Sequence, residues 1–204
     1  MLQEKLKQHT AAEHSQLEEQ MYVDRIMQRT LTVPMYHTLL ATNYLAHQRY
    51  EKLIFGALDA HIVEKLDVPS RAKLSALESD VEYEGIDKKS LLEDFASTAP
   101  ELKDSMFALG MMYVLEGATL GGSMIVKQLK LNPHFSADHH FSYYGCYGSE
   151  LIAKWQQFLA VLNEVPEDQH QSVLEGASFL FKEIAAIAKA VEGYDLSNKT
   201  ITDS

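Results

Sequence analysis

Residues 113–123, YVLEGATLGGS, form the most informative segment of the sequence and lie in the middle of a long apolar region. It holds three glycines in a helical pattern, although glycine in a helix interior costs about 1 kcal/mol relative to alanine. Gly117 and Gly121 are four residues apart and Gly110 lies seven before Gly117, so the spacing predicts one bare helix face. Such a face admits either a neighbouring helix or a large flat object. The adjacent pair Gly121 and Gly122 favours a bend with accessible backbone over a packing seam.

Helical periodicity continues on both sides of this stretch, and no segment shows the strict alternation of a strand. The patterns predict helices over residues 2–21, 35–58, 70–84, 88–96, 101–131, 149–163 and 167–191. The stretch 133–148 is rich in His, Tyr, Phe and Gly and predicts a loop. Its histidines lack a metal-binding spacing, and we expect all three at the surface: His134, His139 and His140. We therefore predict an all-α helical bundle, with one domain over residues 1–194 and a polar tail over 195–204.

Composition narrows the classes of partner. The 204 residues are 46% hydrophobic and 23% charged, which is an ordinary globular balance. The formal net charge of −11 disfavours nucleic acid and anionic membranes, so an anionic ligand needs local positive charge. The sequence contains no run of about 18 consecutive apolar residues and begins with polar residues that do not resemble a secretory signal. Cys146 is the only cysteine, which fits a reducing compartment, and we expect a cytoplasmic protein without a membrane partner.

Among nine histidines, His14 has the most informative neighbours. Glu18, four residues later, can accept a hydrogen bond from one ring nitrogen and leave the other free for a metal. The alternative is a solvated surface pair, which the same spacing also allows. Lys7 lies two turns before His14, about 10 Å along the axis, where it can reach an acidic group at the rim of a planar ligand. Thr10 lies one turn before His14 on the same stripe.

Two segments together resemble the heme oxygenase family. Residues 6–18, LKQHTAAEHSQLE, resemble its proximal helix. Residues 113–122, YVLEGATLGG, resemble its distal helix, particularly in the bacterial branch associated with bacteriophytochromes. Weaker similarity occurs in YYGCYG, WQQF and GASF at residues 143–148, 155–158 and 176–179. The resemblance extends over residues 2–191 and implies a single-domain bundle in which a glycine-kinked distal helix crosses the heme.

On the proximal side, the resemblance implies that His14 is the axial ligand of the heme iron and Glu18 orients it. It also implies that Lys7 pairs with a heme propionate and that Thr10 belongs to the heme-binding helix.

On the distal side, the resemblance implies that Gly117 and Gly121 mark the bend over the heme, with Gly122 completing the pair. Lys127 is a weaker candidate for a propionate partner. Many family members carry aspartate directly after the first distal glycine, where this chain has Ala118. Glu116 lies on a different helix face and cannot take that role.

The implied activity is the O2-dependent opening of heme b, which is both substrate and cofactor, to biliverdin, carbon monoxide and ferrous iron. The chain has no flavin or dinucleotide motif, so an external reductase, ferredoxin or flavodoxin would supply electrons. A functional link to a phytochrome is a further expectation from the bacterial branch.

Two alternatives remain open at this point. Ala118 keeps a heme carrier or sensor without turnover under consideration. A diiron oxidase of the same architecture would need Glu and His ligands from several helices, and the sequence offers one Glu-x-x-His pair, Glu167 and His170.

Overall fold

The computed structural model describes residues 1–98 and 100–196, and within them it contains helices but no β-strand. The α-helices are α1 (Leu2–His9), α2 (Ala11–Gln20), α3 (Val23–Met27), α4 (Val33–Ala57), α5 (Ala60–Leu66), α6 (Leu74–Tyr83), α7 (Lys88–Asp94), α8 (Ser105–Leu129), α9 (Leu151–Glu164) and α10 (His170–Val191). Short 3-10 turns cover Val68–Arg71, Gly148–Glu150 and Glu167–Gln169. The all-α prediction is confirmed.

The two longest helices, α4 and α8, have clear N-terminal signals. Asp104 accepts a hydrogen bond from the backbone N–H of Phe107 at 2.8 Å and caps α8. Thr32 caps α4 by accepting from the N–H of Met35, and Pro34 lies in the first turn, where its missing N–H costs nothing. α8 runs as one continuous α-helix through all its glycines.

The centre of the bundle is the crossing of α8 with α10, which also packs on α4. A Cβ added at Gly110 would lie 1.9 Å from the Val173 carbonyl oxygen, and one at Gly176 would lie 2.0 Å from that of Phe107. The two helix backbones are therefore in direct contact. The prediction that Gly110 shares the open face of Gly117 is wrong, because α10 covers it.

Other boundaries differ from the predictions for local reasons. The first predicted helix is divided at Thr10, whose hydroxyl donates to the Leu6 carbonyl at 2.9 Å. α5 is an additional helix, and α6 begins at Leu74 because a 3-10 turn occupies the segment before it. At the C-terminus, Leu196 is buried, and residues 197–204 of the predicted tail lie outside the described residues.

α8 is the one helix of the described residues that is long and apolar enough to span a membrane, with a mean hydropathy of 1.3 in its most apolar window. Half of that window is buried inside the bundle. This burial is typical of the core helix of a soluble protein, since α8 packs against both α10 and α4.

Candidate functional site

A cavity of about 600 Å³ lies between α1–α2 on one side and α4 and α8 on the other. Side chains of α3, α9, α10 and the 133–147 segment complete its walls. Its volume falls within the range of about 300–1,000 Å³ that is typical of small-molecule sites. Most of its lining side chains are apolar or aromatic. The fold thus provides one large, mostly apolar chamber beside its core.

His14 of α2 lines this cavity, as the sequence predicts. Its Nδ1 lies 3.4 Å from the Glu18 carboxylate, and its ring packs edge-on against Phe181 of α10 at 5.7 Å between centroids. The side chain is 56% exposed, so Nε2 is accessible to a ligand in the chamber. Lys7 and Thr10 also line the cavity. All four predicted proximal residues are brought together.

The opposite wall is formed by α8, where Gly117 and Gly121 line the cavity. A Cβ added at either glycine would meet no atom within 4 Å. Bare helix backbone therefore faces the cavity across from α2. Gly122 points elsewhere, because a Cβ there would lie 2.9 Å from the Tyr144 carbonyl oxygen. The structure thus places Gly122 in the contact between α8 and the 133–147 segment, outside the cavity.

Charge is sparse around the cavity. Lys7 is the one cation and Glu18 the one carboxylate among the described residues that line it. Lys127 is exposed near the end of α8 and is absent from the lining, so the structure gives no support to its predicted role as a propionate partner. Ala118 lines the cavity without a polar group.

Glu116, next to the glycines, is directed into a buried ionic cluster. Its carboxylate forms an ion pair with Arg71 and accepts hydrogen bonds from Lys73 Nζ at 2.6 Å and the Tyr147 hydroxyl at 2.7 Å. Burial raises the pKa of Tyr147, so its hydroxyl stays protonated and donates. The cluster removes Glu116 from the cavity, in agreement with the sequence argument that it lies on a different face.

Sequence reasoning missed a polar patch on the cavity wall, formed by Asn43 and His47 of α4 with Tyr143 and Tyr144; we call this patch the polar wall. His47 Nδ1 lies 2.7 Å from the Glu51 carboxylate, and its Nε2 lies 3.2 Å from the Tyr143 hydroxyl. Burial lowers the pKa of His47, so the ring is neutral at pH 7. His47 and Glu51 have the same spacing as His14 and Glu18, which was the available signal.

Two expectations about other histidines also change. His139 is largely buried, with a side chain that is 10% exposed. Its Nε2 lies 2.8 Å from one oxygen of Glu84, whose other oxygen lies 2.7 Å from His37 Nε2. The prediction of a surface position is therefore wrong for His139. His134 and His140 are exposed as predicted. In the Glu-x-x-His pair, Glu167 accepts from Lys5 Nζ at 2.9 Å, and His170 Nδ1 lies 3.3 Å from the same atom.

These features define an α-helical protein with a large, mostly apolar cavity between one accessible imidazole and a stretch of bare backbone. The model of the family described as heme oxygenase matches residues 1–189. The chain belongs to the heme oxygenase family. No curated protein sequence matches it significantly.

Solved structures of bacterial heme oxygenases share the fold. The enzyme of Leptospira interrogans has a TM-score of 0.72 at 18% identity, with 93% of this chain and 98% of the other covered. The NO- and CO-bound enzyme of Neisseria meningitidis has a TM-score of 0.68 at 17% identity, with 97% of this chain and 95% of the other covered. Heme oxygenase-1 of the cyanobacterium Synechocystis, in complex with heme, has a TM-score of 0.67 at 17% identity, with 94% of this chain and 92% of the other covered.

Proposed function

We propose that this chain is a heme-degrading oxygenase that opens heme b with O2 and externally supplied electrons, giving biliverdin, carbon monoxide and ferrous iron. The observation that carries the proposal is the position of His14 across the cavity from the bare backbone of Gly117 and Gly121. An imidazole and a side-chain-free helix on opposite walls leave room for a flat ring between them.

The residues present fit heme as the substrate. His14 Nε2 would hold the iron, while Glu18 near Nδ1 favours the tautomer that leaves Nε2 unprotonated. Lys7 would pair with a propionate, and the apolar walls would cover the ring. When bound, heme supplies the iron at which dioxygen is activated. Gly117 and Gly121 leave space for a small molecule above the ring, which larger side chains would fill.

The remaining parts of the proposal rest on likeness. The Synechocystis neighbour is a heme complex, which supports heme as the ligand here. An external reductase, ferredoxin or flavodoxin would provide the electrons in the cytoplasm. The supply of biliverdin to a phytochrome is suggested by the distal-helix motif alone.

The test is to titrate the protein with heme, record the Soret band, and then add ascorbate or a reductase under air. We expect loss of the Soret band with the appearance of biliverdin absorption and carbon monoxide. Heme that persists under these conditions would instead identify a carrier or sensor. Two bound irons without a Soret band would identify a diiron oxidase, although the described residues contain no group of three or more potential His, Cys, Asp or Glu ligands.

The iron ligand has its own test. We expect His14→Ala to remove the imidazole-ligated heme spectrum, because no other imidazole lies on the α1–α2 wall of the cavity described here. His61→Ala is the matched control, since His61 is exposed on α5 and does not line the cavity. An unchanged spectrum in His14→Ala would show that another residue binds the iron.

A further inference from the structure

The four side chains of the polar wall hydrogen-bond to one another and still leave hydrogen-bonding groups available to the cavity. Neutral His47 donates from Nδ1 to Glu51, so its Nε2 accepts from the Tyr143 hydroxyl at 3.2 Å. The Tyr143 hydroxyl has a second, more distant acceptor in Asn43 Oδ1 at 3.4 Å, and its oxygen keeps a lone pair free whichever of the two acceptors takes its proton. Asn43 directs Nδ2 to the Leu39 carbonyl at 2.9 Å and to the Tyr144 hydroxyl at 3.4 Å.

Within residues 1–98 and 100–196, the Tyr144 hydroxyl accepts from Asn43 and donates to no side chain or carbonyl. Burial raises the pKa of both Tyr143 and Tyr144, so both phenols stay protonated. The wall therefore offers the cavity an acceptor on Tyr143 and a donor on Tyr144, held in place by α4. A water molecule needs such a pair of partners to be fixed in a mostly apolar chamber.

On the proposed function, we infer that this polar wall replaces the missing acid of α8: Tyr143, oriented by His47 and Asn43, is the positioning residue for the water that brings protons to dioxygen. The reduction of O2 to the level of H2O2 takes up two electrons and two protons, and the protons must reach the mostly apolar part of the cavity beside α8. The electrons come from the external donor, and the protons come from solvent through the positioned water.

Helix α8 supplies no acid for this function: its polar side chain on the cavity lining is Tyr113, a phenol whose pKa is raised by burial. Ala118 carries no polar group, and the Glu116 carboxylate is fully engaged by Arg71, Lys73 and Tyr147. The one carboxylate on the cavity lining, Glu18, lies beside His14 on the opposite wall. The neutral polar groups of Gln3, Thr10 and Ser15 lie on the α1–α2 wall with His14, whereas the polar wall holds hydroxyl and amide groups in mutual contact on the α4 side of the cavity.

The groups that face His47 keep this arrangement in a single protonation state. Glu51 on the same helix accepts from Nδ1, and Tyr143 faces Nε2. Lys73 and Glu116, from the neighbouring ionic cluster, act on the ring with opposite signs. The Glu51 carboxylate is itself fixed by the backbone N–H groups of Lys73 at 2.9 Å and Leu74 at 3.3 Å. His47 is thus held as a neutral acceptor for the Tyr143 hydroxyl.

The experiment compares Tyr143→Phe with Tyr36→Phe in the full chain loaded with heme. Tyr36 is a matched control, because it is a buried tyrosine that does not line the cavity and whose hydroxyl has no hydrogen-bond partner in the part of the chain that the structure describes. Turnover is measured twice, with O2 plus a reductant and with H2O2, which already carries its two protons. The visible spectrum of the ferric heme complex is also titrated with pH, a readout that does not depend on turnover.

For Tyr143→Phe we expect the affinity for heme to stay within about twofold of that of the parent. The midpoint of the pH-dependent change in the visible spectrum should shift, and O2-driven turnover should fall by about tenfold or more. Peroxide-driven ring opening should be retained, and Tyr36→Phe should match the parent in every assay. Unchanged O2-driven turnover, or an equal loss with both oxidants, would overturn the inference. As a rescue test, His47→Gln keeps an acceptor for Tyr143 and should retain more O2-driven turnover than His47→Leu.

The failure of the proposed function would look different. In that case the parent protein would open heme with neither oxidant, while the spectral titration would still compare Tyr143→Phe with Tyr36→Phe. A pH transition that is identical in the parent and Tyr143→Phe would then count against the polar wall on its own.

Discussion

The carboxylate of Asp80 in α6 accepts a 2.9 Å hydrogen bond from the backbone N–H of Tyr143, which lies 63 residues further along the chain. Its other oxygen accepts from the N–H of Ser142 at 2.8 Å. Burial raises the pKa of Asp80, although both N–H groups favour the anion. One buried side chain thus fixes the segment that carries the polar wall.

We expect Asp80→Asn to destabilise the protein by about 1–3 kcal/mol, because an amide nitrogen would then face a backbone N–H and leave it without an acceptor. Urea unfolding and limited proteolysis of the 133–147 segment measure the effect. Asp138→Asn is the control, since Asp138 is exposed in the same segment. Equal stability and equal protease resistance in the two variants would contradict this role of Asp80.

The glycines of α8 give a paired prediction. Gly110→Ala should cost about 1–3 kcal/mol or more, since the new methyl would lie 1.9 Å from the Val173 carbonyl oxygen of α10. Gly117→Ala should stabilise the helix by up to about 1 kcal/mol, because nothing lies within 4 Å of the added atom. The free energy of unfolding in urea measures both. Similar values for the two variants would show that Gly110 and Gly117 share one environment.

The ionic cluster around Glu116 gives the largest expected loss of stability. Arg71, Lys73 and Glu116 have side chains that are at most 1% exposed, so Glu116→Gln leaves two buried cations without their anion. We expect a loss of about 3–5 kcal/mol in the free energy of unfolding. The matched Glu93→Gln breaks an exposed pair with Lys89 and should cost less than about 1 kcal/mol. Thermal and urea unfolding distinguish the two outcomes.

His47 makes stability depend on pH. Its pKa in the folded protein is lowered by burial, so the unfolded chain binds a proton more readily than the folded one below the ordinary value of 6.5. The contribution is fully present above pH 6.5 and is lost as pH falls towards the folded pKa, by at most about 1.4 kcal/mol per pH unit. Over a range of about 2.5 pH units, from about pH 7.5 to about pH 5, the free energy of unfolding in urea should change less with pH in His47→Gln than in the parent. Parallel profiles would show that His47 is not held neutral.

Local patterns predicted most of the helices because the signals for them lie within each segment. Thr32 and Pro34 indicate the start of α4, and the apolar run with its glycines indicates α8. The accessible imidazole of His14 could be predicted for the same reason, since its partner Glu18 is one turn away. Spacing alone could not separate Gly110 from Gly117, because the difference is made by Val173 of α10.

The polar wall was beyond sequence reasoning for a related cause. His47 and Glu51 form an i,i+4 pair that is indistinguishable in pattern from a solvated one. What gives His47 its role is Tyr143, 96 residues away, in a segment with no helical periodicity to predict its direction. That segment reads as a surface loop, yet Tyr143 and Tyr144 are buried. Long-range burial of an irregular segment depends on anchors such as Asp80.

The helix that carries His14 is much less buried than the helix that faces it across the cavity. α2 has no fully buried residue, whereas the facing helix α8 has twelve, from Phe107 to Leu129. The two walls of the cavity are therefore held unequally: α8 is fixed in the core, whereas α2 contributes little buried surface of its own. On the proposed function each reaction consumes the heme, so a bound heme that adds contacts to α2 would stabilise this wall only until the ring is opened, and we expect α2 to be less stable locally in the heme-free protein.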